Sequence, residues 1–183
     1  MANQIHSNTE NQTSQVAYLS GGCYWGLEEL IRVIPGVLDT SVGFTGGHVG
    51  NVTYKDVSRG DTGHAESIKI EFNNAVISYE NLLLDFFKMH NPTTLNQQGN
   101  DRGTQYRSAI FYTNDNQKNT AIQVIDMVNQ SNLWEQEVVT IVEKFTAFYT
   151  AEDAHQKYLL KNPDGYSCHF VRNFDFTKLI NSI

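Results

Sequence analysis

Hydrophobic residues fall along this chain in two rhythms, and the switches between them predict its elements. Val16 to Leu19 is a short apolar run closing on Gly21-Gly22, a first strand. Leu27, Leu30, Ile31 and Ile34 then recur at helical spacing, a buried stripe that Pro35-Gly36 ends. Val37 to Thr45 reads as a second strand, leading into a glycine-rich loop from Gly46 to Gly63. Ile68, Ile70 and Phe72 alternate with Ser67, Lys69 and Glu71, the pattern of a strand with one buried face. Ser78 is placed to cap a helix carrying Leu82, Leu83, Phe86 and Phe87, which Asn91-Pro92 ends. Ser108 to Tyr112 is a further strand. Ala121, Val124, Ile125 and Val128 mark an amphipathic helix, and Val138 to Val142 a β-branched strand. Asp153 to Leu160 predicts a short late helix before Asn162-Pro163-Asp164-Gly165 turns the chain into an irregular tail.

Strands and helices thus interleave. The order predicts a two-layer α/β (α+β) sandwich: a mixed sheet covered by helices, with a ferredoxin-like βαββαβ core and an irregular C-terminal tail. Residues 1–14 are expected to form a flexible tail. Residues 15–183 should form one catalytic domain that includes the irregular segment 161–183. The loops from Gly43 to Gly63 and Pro92 to Tyr106 exceed ordinary connectors, and loops of that size in a compact domain often carry function.

Composition narrows the possibilities. The 183 residues are 40% apolar and 18% charged, enough for one globular core. Thirteen Lys and Arg against twenty Asp and Glu give a net charge of −7, which argues against nucleic-acid binding. No stretch approaches the roughly 20 apolar residues of a membrane helix. Met1 to Gln15 is polar, with neither a basic start nor an apolar run, so no secretory signal is expected and the cytoplasm is the expected compartment. The two cysteines, Cys23 and Cys168, are too few for a stapled scaffold and lack zinc-site spacing. No phosphate loop or dinucleotide fingerprint appears, and no metal, flavin or other cofactor is expected.

The sharpest chemistry lies in Gly21-Gly22-Cys23-Tyr24-Trp25-Gly26, where a strand hands over to a helix. Unpaired N–H groups at a helix start favour a negative charge, so the Cys23 thiolate should be stabilised there. The plainer alternative is a buried cysteine in a tight turn with core aromatics. In Gly60-Asp61-Thr62-Gly63-His64-Ala65-Glu66, Glu66 opens a strand and is either a desolvated acid or a solvated strand-end charge. Asp101 to Ser108, with Tyr106, reads in isolation as an ordinary polar loop, and in Asn51 to Tyr54 the Tyr54 side chain is either a loop hydroxyl or a packing residue.

Together, these four segments and Phe148 to Leu159, in this order, resemble the A type of the peptide methionine sulfoxide reductase family, from about Val16 to His169. The resemblance implies reduction of the S epimer of free and peptide-bound methionine sulfoxide, as repair of oxidised proteins. Cys23 matches the nucleophile, Glu66 the acid that protonates the sulfoxide oxygen, and Tyr54 and Tyr106 the phenols that bond it. Asp101 matches a polar support, and Tyr24 and Trp25 the rings around the substrate methyl group. A sulfenic acid on Cys23 would then need a second thiol and thioredoxin as partner; Cys168 in the punctuated tail is the resolving candidate. Three positions depart from the family pattern. Tyr24 stands for the usual Phe and brings a hydroxyl that must be satisfied, Val52 replaces Pro, and Phe44 replaces Tyr. A cysteine hydrolase using His64 or His155, a cysteine peroxidase, and a noncatalytic binder of oxidised peptides remain as competing readings.

Overall fold

The computed structural model describes residues 13–176. Residues 1–12 of the expected N-terminal tail and residues 177–183 of the C-terminal segment lie outside the described residues. The elements in chain order are β1 (Ser14–Gly21), α1 (Tyr24–Ile31), β2 (Val37–Thr45), α2 (Tyr54–Ser58), β3 (Ala65–Asn73) and α3 (Tyr79–Met89). They continue with β4 (Gln97–Gln98), β5 (Asp101–Arg102), a single 3₁₀ turn (Thr104–Tyr106), β6 (Ser108–Tyr112), α4 (Asp115–Gln130), β7 (Ile141–Lys144), β8 (Phe148–Thr150) and α5 (Tyr158–Lys161).

Six strands form one curled sheet in the order β7-β6-β1-β3-β2-β8. Its pairs are antiparallel except β6 with β7, so the sheet is mixed. Strand alternation sends Ala17, Leu19, Ile68, Ile70 and Phe72 to one face. They pack there against Leu27 and Ile31 of α1, Leu82, Leu83, Phe86 and Phe87 of α3, and Val124 and Val128 of α4. Each large apolar side chain buried in this way contributes roughly 1.5–3 kcal/mol. On the opposite face Ala65, Ala109 and Phe111 lie under Tyr18, Ile141 and Phe145. Ser78 caps α3 by accepting the Asn81 N–H. Among the described residues no helix is long and apolar enough to cross a membrane.

Several expected elements shift, each for a visible reason. The first helix ends at Ile31, with Arg32 as its cap, before Pro35 is reached. The long loop after β2 contains α2, started by a capping box between Thr53 and Asp56. Ser67 is buried rather than solvated, because its hydroxyl bonds the Ser20 hydroxyl at 2.6 Å. The β-branched strand begins at Ile141 rather than Val138. The late helix covers only Tyr158–Lys161. Upstream of it, Gln156 accepts the Val42 N–H and donates to the Val42 and Ala151 carbonyls, each at 2.8–2.9 Å. Lys157 sits in the left-handed region at φ 50°, its N–H held by Glu28 at 2.8 Å. These long-range bonds win over local helix propensity.

Candidate active site

Beyond the end of β1, Gly22 has φ +96°, and a Cβ there would lie 2.5 Å from Gln98 Cβ and Cγ. Only glycine makes that turn against that neighbour. Cys23 follows as the N-cap of α1, 7% exposed. The expectation of a stabilised thiolate is not met in this resting structure. Burial pushes the Cys23 thiol well up, and the Glu66 charge adds to it; the Trp25 N–H, which favours the thiolate, offsets only part. A helix start cannot hold an anion by itself when the sulfur is dry and faces a carboxyl group.

Glu66 is on the helix-facing side of β3, paired in register with Phe44. It is 2% exposed and accepts the Tyr24 N–H at 3.2 Å. Burial outweighs that bond and raises its pKa to about 8, with the Asp101 charge adding to the rise. The solvated-charge alternative therefore falls: Glu66 is a buried acid that carries its proton at neutral pH.

The long loops bring the phenols to the same place. Tyr54 opens α2, and Tyr106 closes the 3₁₀ turn before β6. Burial raises the pKa of both, and both feel the charges of Glu66, Cys23 and Asp101. Tyr24 is fully buried beside Phe44, ring centroids 5.8 Å apart. Its hydroxyl has no hydrogen-bond partner among the described residues. Trp25 is half-buried, stacked on Tyr158 at 3.9 Å, and its indole N–H donates to His155 Nδ1 at 3.1 Å.

Asp101, in β5, accepts the Tyr166 hydroxyl at 3.2 Å and the Cys168 thiol at 3.4 Å. Both cysteines are free. Cys168 is already at the site rather than waiting on a distant tail: the Cys23 backbone N–H reaches its sulfur and favours its thiolate. Burial and the Asp101 bond outweigh this and push the Cys168 thiol up to about 11.

The two histidines a hydrolase would recruit are engaged elsewhere. His64 accepts the Gly47 N–H and donates to the Val49 carbonyl, pinning the glycine-rich loop. His155 is spent on Trp25. The seven other site residues that the resemblance named thus gather around Cys23. The supporting roles of two residues escaped the sequence reading. Glu28, buried in α1, accepts the Thr40 hydroxyl at 2.9 Å as well as the Lys157 N–H. His155 anchors the indole. The helical spacing of Glu28 gave no hint of a partner 129 residues away.

Residues 15–183 match the family model described as peptide methionine sulfoxide reductase. The chain is 53% identical over 160 residues to the peptide methionine sulfoxide reductase MsrA 1 of Mesorhizobium japonicum, covering 87% of this chain and 91% of that one. Among solved structures it is similar to Mxr1 of Saccharomyces cerevisiae in reduced form, with a TM-score of 0.84, 35% identity, and 90% and 95% of the two chains covered. Methionine sulfoxide reductase A of Corynebacterium diphtheriae matches at a TM-score of 0.80 and 33% identity, over 91% and 83%. The yeast protein has also been solved in complex with Trx2.

Proposed function

Since the chain belongs to the A type of the peptide methionine sulfoxide reductase family, we propose that it reduces the S epimer of methionine sulfoxide, free and in peptides, by a thiol mechanism with Cys23 as nucleophile. One observation carries this reading: a buried Glu66, its pKa raised to about 8, lies close enough to Cys23, Tyr54 and Tyr106 for its charge to bear on all three. A sulfoxide sulfur is a poor electrophile until its oxygen is protonated or strongly hydrogen-bonded. Glu66 gives that oxygen its proton while Tyr54 and Tyr106 donate hydrogen bonds to it. The Cys23 sulfur attacks as this happens, and its own proton replaces the one Glu66 has given up. Oxygen passes to Cys23, the sulfoxide sulfur is reduced, and the thioether leaves with Cys23 as a sulfenic acid. Proton transfer out of Glu66 has to be coupled to the attack, because an ionised Glu66 beside the thiol opposes a thiolate.

Tyr24 and Trp25 supply apolar ring faces for the substrate methyl group. Cys168 is the resolving thiol that forms a disulfide with Cys23, and thioredoxin reduces it. The nearness of Cys168 to Cys23 supports the first step, and the Trx2 complex of the yeast relative supports the second. Residues 15–183 act as one catalytic unit. The strand order β6-β1-β3-β2, joined through α1 and α3, supports a ferredoxin-like core. A thioredoxin-reduced cytoplasm fits two free cysteines.

A stereochemically resolved assay on both epimers, with dithiothreitol and with thioredoxin, tests the reading. The S epimer alone should turn over with both reductants, and Cys23→Ser should abolish the reaction without unfolding the chain. Turnover of the R epimer, or residual activity in Cys23→Ser, would overturn it.

A further inference from the structure

His169 packs directly against the second thiol. The geometry points to His169 as the general base that takes the proton from Cys168 when the disulfide with Cys23 forms. This rests on Cys168 being the resolving thiol and adds the residue that activates it.

His169 Nε2 lies 2.6 Å from the Gly21 carbonyl oxygen, which can only accept, so Nε2 carries the hydrogen. Nδ1 is then the bare lone pair, and it lies 3.5 Å from Cys168 Sγ. The ring is buried at 9% exposure, and burial holds its pKa below the ordinary histidine value, so it is neutral and ready to accept a proton. Its position is fixed on both sides. The Ser167 hydroxyl accepts the His169 backbone N–H at 3.2 Å. A Cβ at Gly26 would fall 2.7 Å from His169 Nδ1, so α1 is a bare backbone where the ring rests on it.

Asp101 also touches the thiol, at 3.4 Å, but is the poorer acceptor for this step. A carboxylate is intrinsically a weaker base than an imidazole. A proton moved onto His169 instead creates a cation beside the Cys168 thiolate, and the Asp101 charge favours that cation. The remaining groups that bear on the ring are Arg172, which opposes its protonation, and the neutral buried His90.

The step balances without an outside reagent. Cys168 loses its proton to Nδ1, and its sulfur forms a bond to the Cys23 sulfur. The Cys23 S–O bond breaks, and the leaving hydroxide takes the proton that His169 received, giving water and restoring the neutral ring. Cys23 is reduced from the sulfenic level and Cys168 oxidised to the disulfide level.

Single-turnover reduction of an S-sulfoxide by the full chain separates the two steps. Thioether release reads the first, and loss of the second free thiol reads disulfide formation. His169→Gln keeps a donor for the Gly21 carbonyl but removes the base. It should release thioether at the wild-type rate and form the disulfide about a hundredfold more slowly at pH 7. The deficit should shrink as pH rises toward 9.5, because the fraction of Cys168 that ionises unaided grows as its value of about 11 is approached. Disulfide formation at the wild-type rate overturns the proposal. So does a deficit equal at both pH values, or an equal loss of thioether release, either of which makes His169 a structural support. If mass mapping of the wild-type chain finds no Cys23–Cys168 disulfide, the resolving role of Cys168 itself falls, and the proposal with it.

Discussion

Replacing Glu66 by Gln probes the site through two independent readouts. The amide keeps the size of a protonated carboxyl group and an acceptor for the Tyr24 N–H, but it has no proton to titrate and is a feeble acid. In the native protein Glu66 holds its proton up to about pH 8, whereas the unfolded chain releases it above the ordinary value of 4.5. Folding therefore takes up a proton between these values, and stability must fall as pH rises from 4.5 toward 8, then level off. At about 1.4 kcal/mol per pH unit, the full window amounts to roughly 3 to 5 kcal/mol, or on the order of 10 °C in Tm for a chain of this size. Glu66→Gln should lack this contribution, so the two proteins' melting temperatures should diverge as pH rises, with the variant the more stable at pH 8. Activity should move the opposite way. Wild-type thioether release should decline above about pH 8 as the acid is lost. The variant should be slower by roughly 10²–10⁴-fold and lack that decline. Thermal melts from pH 4.5 to 9 beside single-turnover rates give both answers. Parallel melting curves for the two proteins would refute the buried, protonated state. An unchanged rate would refute the role as acid.

Two further substitutions test the packing of the site. Tyr24→Phe removes a hydroxyl that is buried without a partner among the described residues, and should stabilise the fold by about 1 kcal/mol, or roughly 2–4 °C in Tm; a lower Tm would mean that the hydroxyl is satisfied after all. Gly22→Ala forces a side chain into φ +96° against Gln98 and should cost about 2–4 kcal/mol by denaturant titration, with a cost under about 0.5 kcal/mol counting against a rigid turn.

The sequence rendered local periodicity well and long-range competition poorly. The alternation of Ile68, Ile70 and Phe72 and the stripe of α4 are set by which face is buried, so they could be read directly. The segment after β8 could not. Its residues have adequate helix propensity, but Gln156 and Lys157 find partners in β2 and α1, and the helix yields. For the site, the residue types at Cys23, Glu66, Tyr54 and Tyr106 signalled their chemistry through a resemblance spread over five segments. Their ionisation did not follow from local spacing. The helix start at Cys23 argued for an anion, and only the fold revealed the burial and the neighbouring carboxyl group that reverse this. His169, adjacent to Cys168 in the chain, was visible as a residue but not as a base, because its tautomer is set by the Gly21 carbonyl, 148 residues away in the sequence and in contact only in the fold.

The Gln156 amide matters beyond its own bonds. Where β8 stops at Thr150, this one side chain presents an N–H and a C=O to Val42 as a further strand residue would. The border of β2 stays sealed although the polypeptide has departed, and the departing chain is free to cross toward α1 and lay His155 beside the indole. Gln156→Glu would turn this counterfeit rung against itself, setting an oxygen against the Val42 carbonyl and leaving a length of raw sheet margin open to water or to a stray strand.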